Sequence, residues 1–354
     1  MSEKLTIESH IGTYNVHFSG GSLSQINTDV PQNAHFIIDA RIAELYRQTI
    51  LNILKSPSVL LIDALEENKS LEKLPIYVQH LVRCRIRRDH ILIAIGGGII
   101  QDITCFLAAT LLRGVPWAFY PTTLLAQADS CIGSKSSINS GTVKNILGTF
   151  TPPKEIYVAP DFLDTLNERD VRSGVGEILK VHAIDGPESF DKIAIDYQSL
   201  FVDRAVLMEY VRRALRIKKY YIESDEFDRG PRRVFNYGHT FGHAIEAATD
   251  FSVPHGIAIT MGMDMANWCA WKLGVGTQDN YRRMHDTLSA NYRGFQSISI
   301  PVTSFLEAIS RDKKNAGKNV TLILADPSGR LFCDSYPNDD DFQNLCAEYL
   351  KDHR

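Results

Sequence analysis

His239 and His243 stand four residues apart in Phe235-Asn236-Tyr237-Gly238-His239-Thr240-Phe241-Gly242-His243-Ala244-Ile245-Glu246. If this segment is helical, both imidazoles leave one face, a turn apart. Gly238 and Gly242 beside them leave room for something to approach the backbone. A third histidine follows in Pro254-His255-Gly256. Upstream, Glu177-Ile178-Leu179-Lys180 sets a carboxylate and an amine three apart, again on one helical face. A Glu and two His with an open fourth position form a catalytic zinc set. A His pair at this spacing also arises as a coincidence of a surface or core edge, so the rest of the chain has to decide.

The elements that must position these groups change character along the chain. Residues 13–18, 35–38, 58–62, 90–95, 117–120 and 155–158 read as strands, and 40–54 and 99–112 as helices. This alternation predicts an α/β domain with a largely parallel sheet. After 161 helical patterns dominate, over 172–183, 204–224, 232–249, 256–272 and 305–311. The domain boundary falls near 160–170. Residues 1–165 are expected to form the α/β domain and 166–354 an all-α domain.

In the α/β part, the strand 90–95 enters Gly96-Gly97-Gly98 and then a helix apolar nearly all round. That arrangement aims backbone N–H groups at an anion such as a diphosphate, although the pattern is not GxGxxG. Asp102, in the first helical turn, either caps N–H groups or meets a ligand hydroxyl. Asp39, at the end of a strand, suits a ribose hydroxyl. Glu66-Glu67-Asn68-Lys69 is a loop that solvation alone would also explain. Asp129 to Asn139, followed by Lys144-Asn145, is rich in glycine, serine and lysine. Such a composition suits an oxyanion, or else a flexible loop.

The chain has 354 residues, 44% hydrophobic and 23% charged, with a net charge of −4. A general nucleic-acid binder is not expected at that charge. An anionic ligand would be held by local cations, and the basic groups accompanying the candidate cation imply a phosphorylated substrate. No apolar run approaches the ~20 residues of a membrane span. The N-terminus does not look like a signal peptide. Six scattered cysteines without a CxxC pair suggest neither a disulfide framework nor a thiolate metal site, and make the cytoplasm the expected compartment.

Taken in order, several motifs carry a resemblance: Gly96-Gly97-Gly98 with Asp102, Leu112-Arg113-Gly114-Val115-Pro116, Pro121-Thr122-Thr123-Leu124-Leu125-Ala126-Gln127, Asp129-Ser130 with Gly133 and Lys135, Lys144-Asn145, Gly176-Glu177-Ile178-Leu179-Lys180, and 236–246. The chain resembles the 3-dehydroquinate synthase family of sugar phosphate cyclases from about Asp39 to Lys314. The resemblance implies an N-terminal Rossmann-like NAD-binding domain and a C-terminal metal- and substrate-binding domain. It implies Glu177, His239 and His255 as ligands of Zn2+, with Co2+ possible at the same ligands, and His243 as a hydrogen-bonding partner of the substrate. Lys135, Asn145, Asn236, Lys313 and Lys314 match groups around the substrate phosphate, and Lys144 is a further substrate-binding candidate. Arg113 matches an arginine that reaches the neighbouring subunit's phosphate site, so a homodimer is expected. Lys218 and Arg232 match the holders of a substrate carboxylate, and Asp129 and Lys180 the groups around ring hydroxyls. Asp39, Glu66, Lys69, Gly97, Gly98, Asp102, Thr122 and Thr123 match NAD contacts.

The implied reaction turns 3-deoxy-D-arabino-heptulosonate 7-phosphate into 3-dehydroquinate with loss of phosphate, in the shikimate pathway to the aromatic amino acids. NAD would take a hydride and return it, with zinc polarising the substrate oxygens. Two departures stand out. The family's usual Gly-Gly-Lys-Thr-Gly-Val-Asn is here Gly133-Ser134-Lys135-Ser136-Ser137-Ile138-Asn139, and its His-Gly-Glu is His255-Gly256-Ile257. The first keeps open a cyclase acting on another sugar phosphate, against which Lys218 and Arg232 count, since a substrate without a carboxylate would leave them unpaired. A metal-dependent polyol dehydrogenase would give the phosphate lysines no purpose. An idle binding protein on this fold would not need the metal set.

Overall fold

The structure, a computed structural model, describes residues 3–141, 143–311 and 319–352. The chain divides into two compact units. One is Met1–Leu166 with Lys218–Phe227; the other is Asn167–Ile217 with Asp228–Arg354.

The strands are β1 (Glu3–Ser9), β2 (Gly12–Phe18), β3 (Ala34–Asp39), β4 (Val59–Ile62), β5 (Ile91–Gly96), β6 (Trp117–Pro121), β7 (Ile138–Ser140), β8 (Val143–Leu147), β9 (Glu155–Val158), β10 (Asn319–Ala325) and β11 (Leu331–Pro337). The first unit is built on a seven-stranded sheet of order β1-β2-β9-β6-β5-β3-β4. Only its edge pair β1–β2 is antiparallel. The central strands β5 and β6 are nearly continuous apolar runs because both of their faces are buried. Ala94 pairs with Phe119 and Ile95 with Tyr120, so the two strands end side by side. Phe36, Ile38, Ile93, Ile95, Tyr120 and Phe162 form a core on this sheet.

The helices of this unit are α1 (Ser22–Thr28), α2 (Ala40–Leu45), α3 (Leu51–Leu54), α4 (Leu74–Arg83) and α5 (Gly98–Thr110). The periodicity over 40–54 predicted one helix, and the structure has two. Tyr46 leaves helical backbone angles, and its hydroxyl donates to the Asp161 carbonyl at 2.8 Å. The helix expected to end at 112 stops at Thr110. Leu112 and Arg113 then take left-handed backbone, at φ 51° and 67°.

The second unit contains α6 (Glu168–Asp185), α7 (Pro187–Ile195), α8 (Ser199–Val202), most of α9 (Arg204–Ser224), α10 (His239–Ala248), α11 (His255–Lys272), α12 (Gln278–Asn291), α13 (Val302–Ser310) and α14 (Asp340–Asp352). Helix α11 is buried along nearly its whole length, and α6, α10 and α12 pack on it. Asn167 caps α6 by accepting the Asp170 N–H at 2.9 Å. The pattern over 232–249 is not one helix. Pro231–Asn236 is a 3₁₀ turn, Gly238 takes φ 75°, and α10 starts at His239. Among its described residues the unit is helical apart from loops and the antiparallel hairpin β10–β11, a refinement of the all-α expectation. Among the described residues, no helix is long and apolar enough to cross a membrane.

Candidate active site

In the helical unit, glycines decide where the site residues meet. A Cβ on Gly256 would run into the Ser173 carbonyl, and one on Gly176 into the Gly256 carbonyl. So α6 and α11 touch backbone to backbone where Glu177 and His255 begin their turns. Gly256 N donates to Ser173 Oγ at 3.0 Å across the same contact. A Cβ on Gly262 would likewise strike the Gly238 carbonyl, and one on Gly242 would lie 3.0 Å from Ala258 O. The room that Gly238 and Gly242 leave is therefore occupied by α11. These contacts bring His239, His243 and His255 together, with one ring nitrogen from each within 4.8 Å of the others.

Glu177 enters from α6. Its side chain is only 1% exposed, with Lys180 Nζ at 2.5 Å and His255 Nε2 at 3.4 Å. Neither of its oxygens has a hydrogen bond of good geometry, although both are buried. A buried carboxylate so placed beside imidazoles fits a divalent cation. His255 presents its other nitrogen, Nδ1, to Glu246 Oε1 at 3.2 Å. His239 Nδ1 likewise lies 3.2 Å from the Tyr237 carbonyl. Both contacts leave Nε2 as the nitrogen available to a metal, in the manner of outer partners of metal-bound histidines. Burial pulls the His255 pKa down, but Glu177 and Glu246 outweigh it and raise it to about 10. Metal binding at this imidazole competes with the proton that the two carboxylates favour. Glu246 has no role in the sequence reading. Its place three residues after His243, on the same face, was the available signal.

In the sheet unit, hydrogen bonds do the gathering. Lys69, 7% exposed, places Nζ 3.2 Å from Asp102 Oδ2, 3.4 Å from Glu66 Oε1 and 2.9 Å from Asn145 Oδ1. Asn139 donates to Glu66 Oε1 at 2.8 Å and accepts from Asn145 N at 2.8 Å. Asp102 Oδ1 accepts from Ser137 N at 3.0 Å. Burial pushes the Asp102 carboxyl up to about 6 against the pull of Lys69. Expected cofactor residues (Glu66, Lys69, Asp102) and an expected phosphate residue (Asn145) thus share one network. Gly97 and Gly98 begin α5, and a Cβ on Gly97 would press on Thr123 at 2.9 Å. Thr122 is buried behind β6, and Asp39 caps α2 at the end of β3. Lys218 Nζ meets Asp129 at both Oδ1 (2.7 Å) and the carbonyl (2.6 Å).

The remaining residues lie outside these two groups. Lys135, Lys144 and Arg113 are exposed. Arg232 is buried in the 3₁₀ turn that ends at Asn236, whose side chain donates to Arg233 O at 3.0 Å. Lys313 and Lys314 lie outside the described residues.

Known proteins agree in sequence and in fold. The 3-dehydroquinate synthase N-terminal pattern matches residues 59–173 and the C-terminal pattern residues 174–315. A 3-dehydroquinate synthase of Mesorhizobium japonicum is 32% identical over 349 residues, 93% of this chain and 92% of that protein. The solved 2-epi-5-epi-valiolone synthase from Streptomyces hygroscopicus, with NAD+ and Zn2+ bound, superposes with a TM-score of 0.81 at 26% identity, over 95% of this chain and 96% of that one. A 2-deoxy-scyllo-inosose synthase complexed with carbaglucose-6-phosphate, NAD+ and Co2+ reaches a TM-score of 0.83 at 21% identity, over 99% of each chain. The fold is thus one that sugar phosphate cyclases share. Within that class, the chain belongs to the 3-dehydroquinate synthase family.

Proposed function

We propose that the protein converts 3-deoxy-D-arabino-heptulosonate 7-phosphate to 3-dehydroquinate with loss of phosphate, using NAD and one divalent ion, Zn2+ or Co2+. The observation that carries this reading is the convergence of Glu177, His239 and His255 in a chain of this family. Three imidazoles and a carboxylate would fill a tetrahedral ion, whereas a catalytic ion needs an open position. The family resemblance gives that open side to His243, the most exposed of the three histidines, as a substrate-facing group and not a ligand. When bound, the ion would supply Lewis acidity to the substrate oxygens, and NAD would reversibly take up a hydride, the oxidation to a ketone being what acidifies the neighbouring C–H.

The chain's own groups do the rest. Lys180, held beside Glu177, and Asp129, held beside Lys218, orient ring hydroxyls. Lys135, Lys144, Asn145 and Asn236 stabilise the phosphate as it leaves, an electrostatic task. Lys218 and Arg232 bind the carboxylate, which favours the seven-carbon acid over sugar phosphates without one. Asp39, Glu66, Lys69, Gly97, Gly98, Asp102, Thr122 and Thr123 hold the cofactor. Arg113 reaches the phosphate of a second copy, so the active unit is a homodimer in the cytoplasm.

The test is product identification by NMR with the seven-carbon phosphate, NAD and zinc. Phosphate should be released while no NADH accumulates; stoichiometric NADH would point to a polyol dehydrogenase. His255→Ala should lose both metal and turnover, and full activity without metal would refute the ligand set. Arg113→Ala should lower kcat/KM about 10- to 100-fold. Mixing it with inactive Lys180→Ala should restore one good site per mixed dimer; no recovery after confirmed subunit exchange would place Arg113 within its own chain.

A further inference from the structure

We infer that Glu226 is a positioning residue for the segment that carries Lys135, working through the hydroxyl of Ser134. This rests on the reading of Lys135 as a phosphate-holding group. Ser134 and Ser136 are 5% exposed, and Lys135 between them is exposed. The segment is pinned to the chain that follows it. Thr151 N donates to Ser134 O at 2.7 Å, Ser136 N to Thr149 O at 3.0 Å, and Lys135 pairs with Phe150. A Cβ on Gly148 would collide with the Ser136 carbonyl, so the contact is close.

Ser134 has φ 66°, a left-handed conformation that suits glycine, the usual family residue here, and strains a serine. Glu226 holds the serine there. Its hydroxyl donates to Glu226 Oε1 at 2.8 Å. The same carboxylate accepts from Ser9 Oγ at 2.6 Å and from His10 N at 2.8 Å, with His10 Nδ1 at 3.0 Å. Burial acts to raise its pKa, but these donors outweigh that and hold it below the ordinary carboxylate value. The next residue completes the clamp. The Phe227 ring packs at 5.0 Å on Phe150, the pairing partner of Lys135, and at 5.2 Å on His10. Three separated segments, the β1–β2 turn, the segment around Lys135 and the end of Lys218–Phe227, are tied at one carboxylate. With Ser134 turned inward onto Glu226, Lys135 beside it stays exposed.

The test compares Ser134→Ala, Ser134→Gly and Glu226→Gln with wild type and with Lys135→Ala. The readouts are KM and kcat, inhibition by inorganic phosphate, metal content, and hydrogen exchange of amides 134–137. Losing the clamp should raise KM and the phosphate inhibition constant about 3- to 10-fold. kcat and metal content should hold, and exchange over 134–137 should quicken. Ser134→Gly suits the left-handed backbone and guards against misfolding, so it should show the same KM effect in a stably folded chain. Combining Ser134→Ala with Glu226→Gln should add little to Glu226→Gln alone. If Lys135→Ala weakens phosphate and the clamp variants do not, the inference fails and the site reading survives. If Lys135→Ala also leaves phosphate affinity unchanged, that reading of Lys135 fails and takes this inference with it. Equal losses in kcat and thermal stability with unchanged exchange would show a merely structural role and overturn it.

Discussion

In the helical unit, Glu177, His239 and His255 are brought together by backbone contact at Gly176, Gly238, Gly256 and Gly262. In the sheet unit, Glu66, Lys69, Asp102 and Asn145 are gathered by polar side chains, with Asn139 and Lys69 as hubs. The first arrangement is rigid, because helix backbones have no rotamers to exchange. It suits a cation whose ligands must sit within a few tenths of an ångström. The second adapts, because each link is a hydrogen bond of modest net worth. It suits anions and cofactors, which several donors grip at once. A single misplaced atom should therefore ruin the first, while the second should weaken by steps.

The largest effect is expected from Gly256→Ala. Its Cβ would meet Ser173 O, so α6 and α11 must part. Overpacking of this kind costs about 1–3 kcal/mol or more. Metal content by elemental analysis and Tm should both fall, with turnover down roughly 100-fold or more, the scale of an ångström's misplacement. Retained metal at wild-type affinity would break the comparison.

Glu246→Gln should be milder. It keeps the shape but weakens the partner of His255 Nδ1. Loss of such an outer partner costs about 10- to 100-fold in metal affinity. Competition with a chelator measures it, and circular dichroism should show an intact fold.

Asn139→Ala probes the other unit. It removes two bonds to Glu66 and one to Asn145. Affinity for NAD and KM for the substrate should each worsen roughly 3- to 10-fold. Metal content should not change; a loss of metal would show that the two arrangements are not independent.

The smallest effect concerns pH. His285 Nδ1 lies 2.9 Å from the buried Asp264 Oδ2, which also accepts from Tyr292 and Tyr349 hydroxyls at 2.9 and 2.8 Å. The hydrogen bond to Asp264, against the opposing effect of burial, raises the His285 pKa above 6.5. A raised histidine stabilises fully below its unfolded value and loses that contribution as pH climbs through the folded one. The denaturant midpoint should thus decline above about pH 6.5. His285→Asn should flatten that slope. Because His285 is about one-third exposed, the change should be slight. An unchanged slope would remove His285 as its source.

Residue types and short spacings in the sequence alone determined a good deal. The βαβ order set a parallel sheet, because strands of period two and helices of period 3.6 are local patterns. His239 and His243 share a helix as their spacing required, and Gly96-Gly97-Gly98 leads from a strand into a helix. Tertiary structure alone decided the rest. The period over 232–249 ran through Gly238 unbroken, but packing against Ile259 and Met263 of α11 needed a left-handed turn there. Glu246, Glu226 and Asn139 could not be assigned partners, because each contacts residues beyond the reach of a helical turn or strand pair. The closeness of Gly176 to Gly256 was invisible for the same reason. A glycine shows where a backbone can be approached, and only the folded chain supplies the backbone that approaches it.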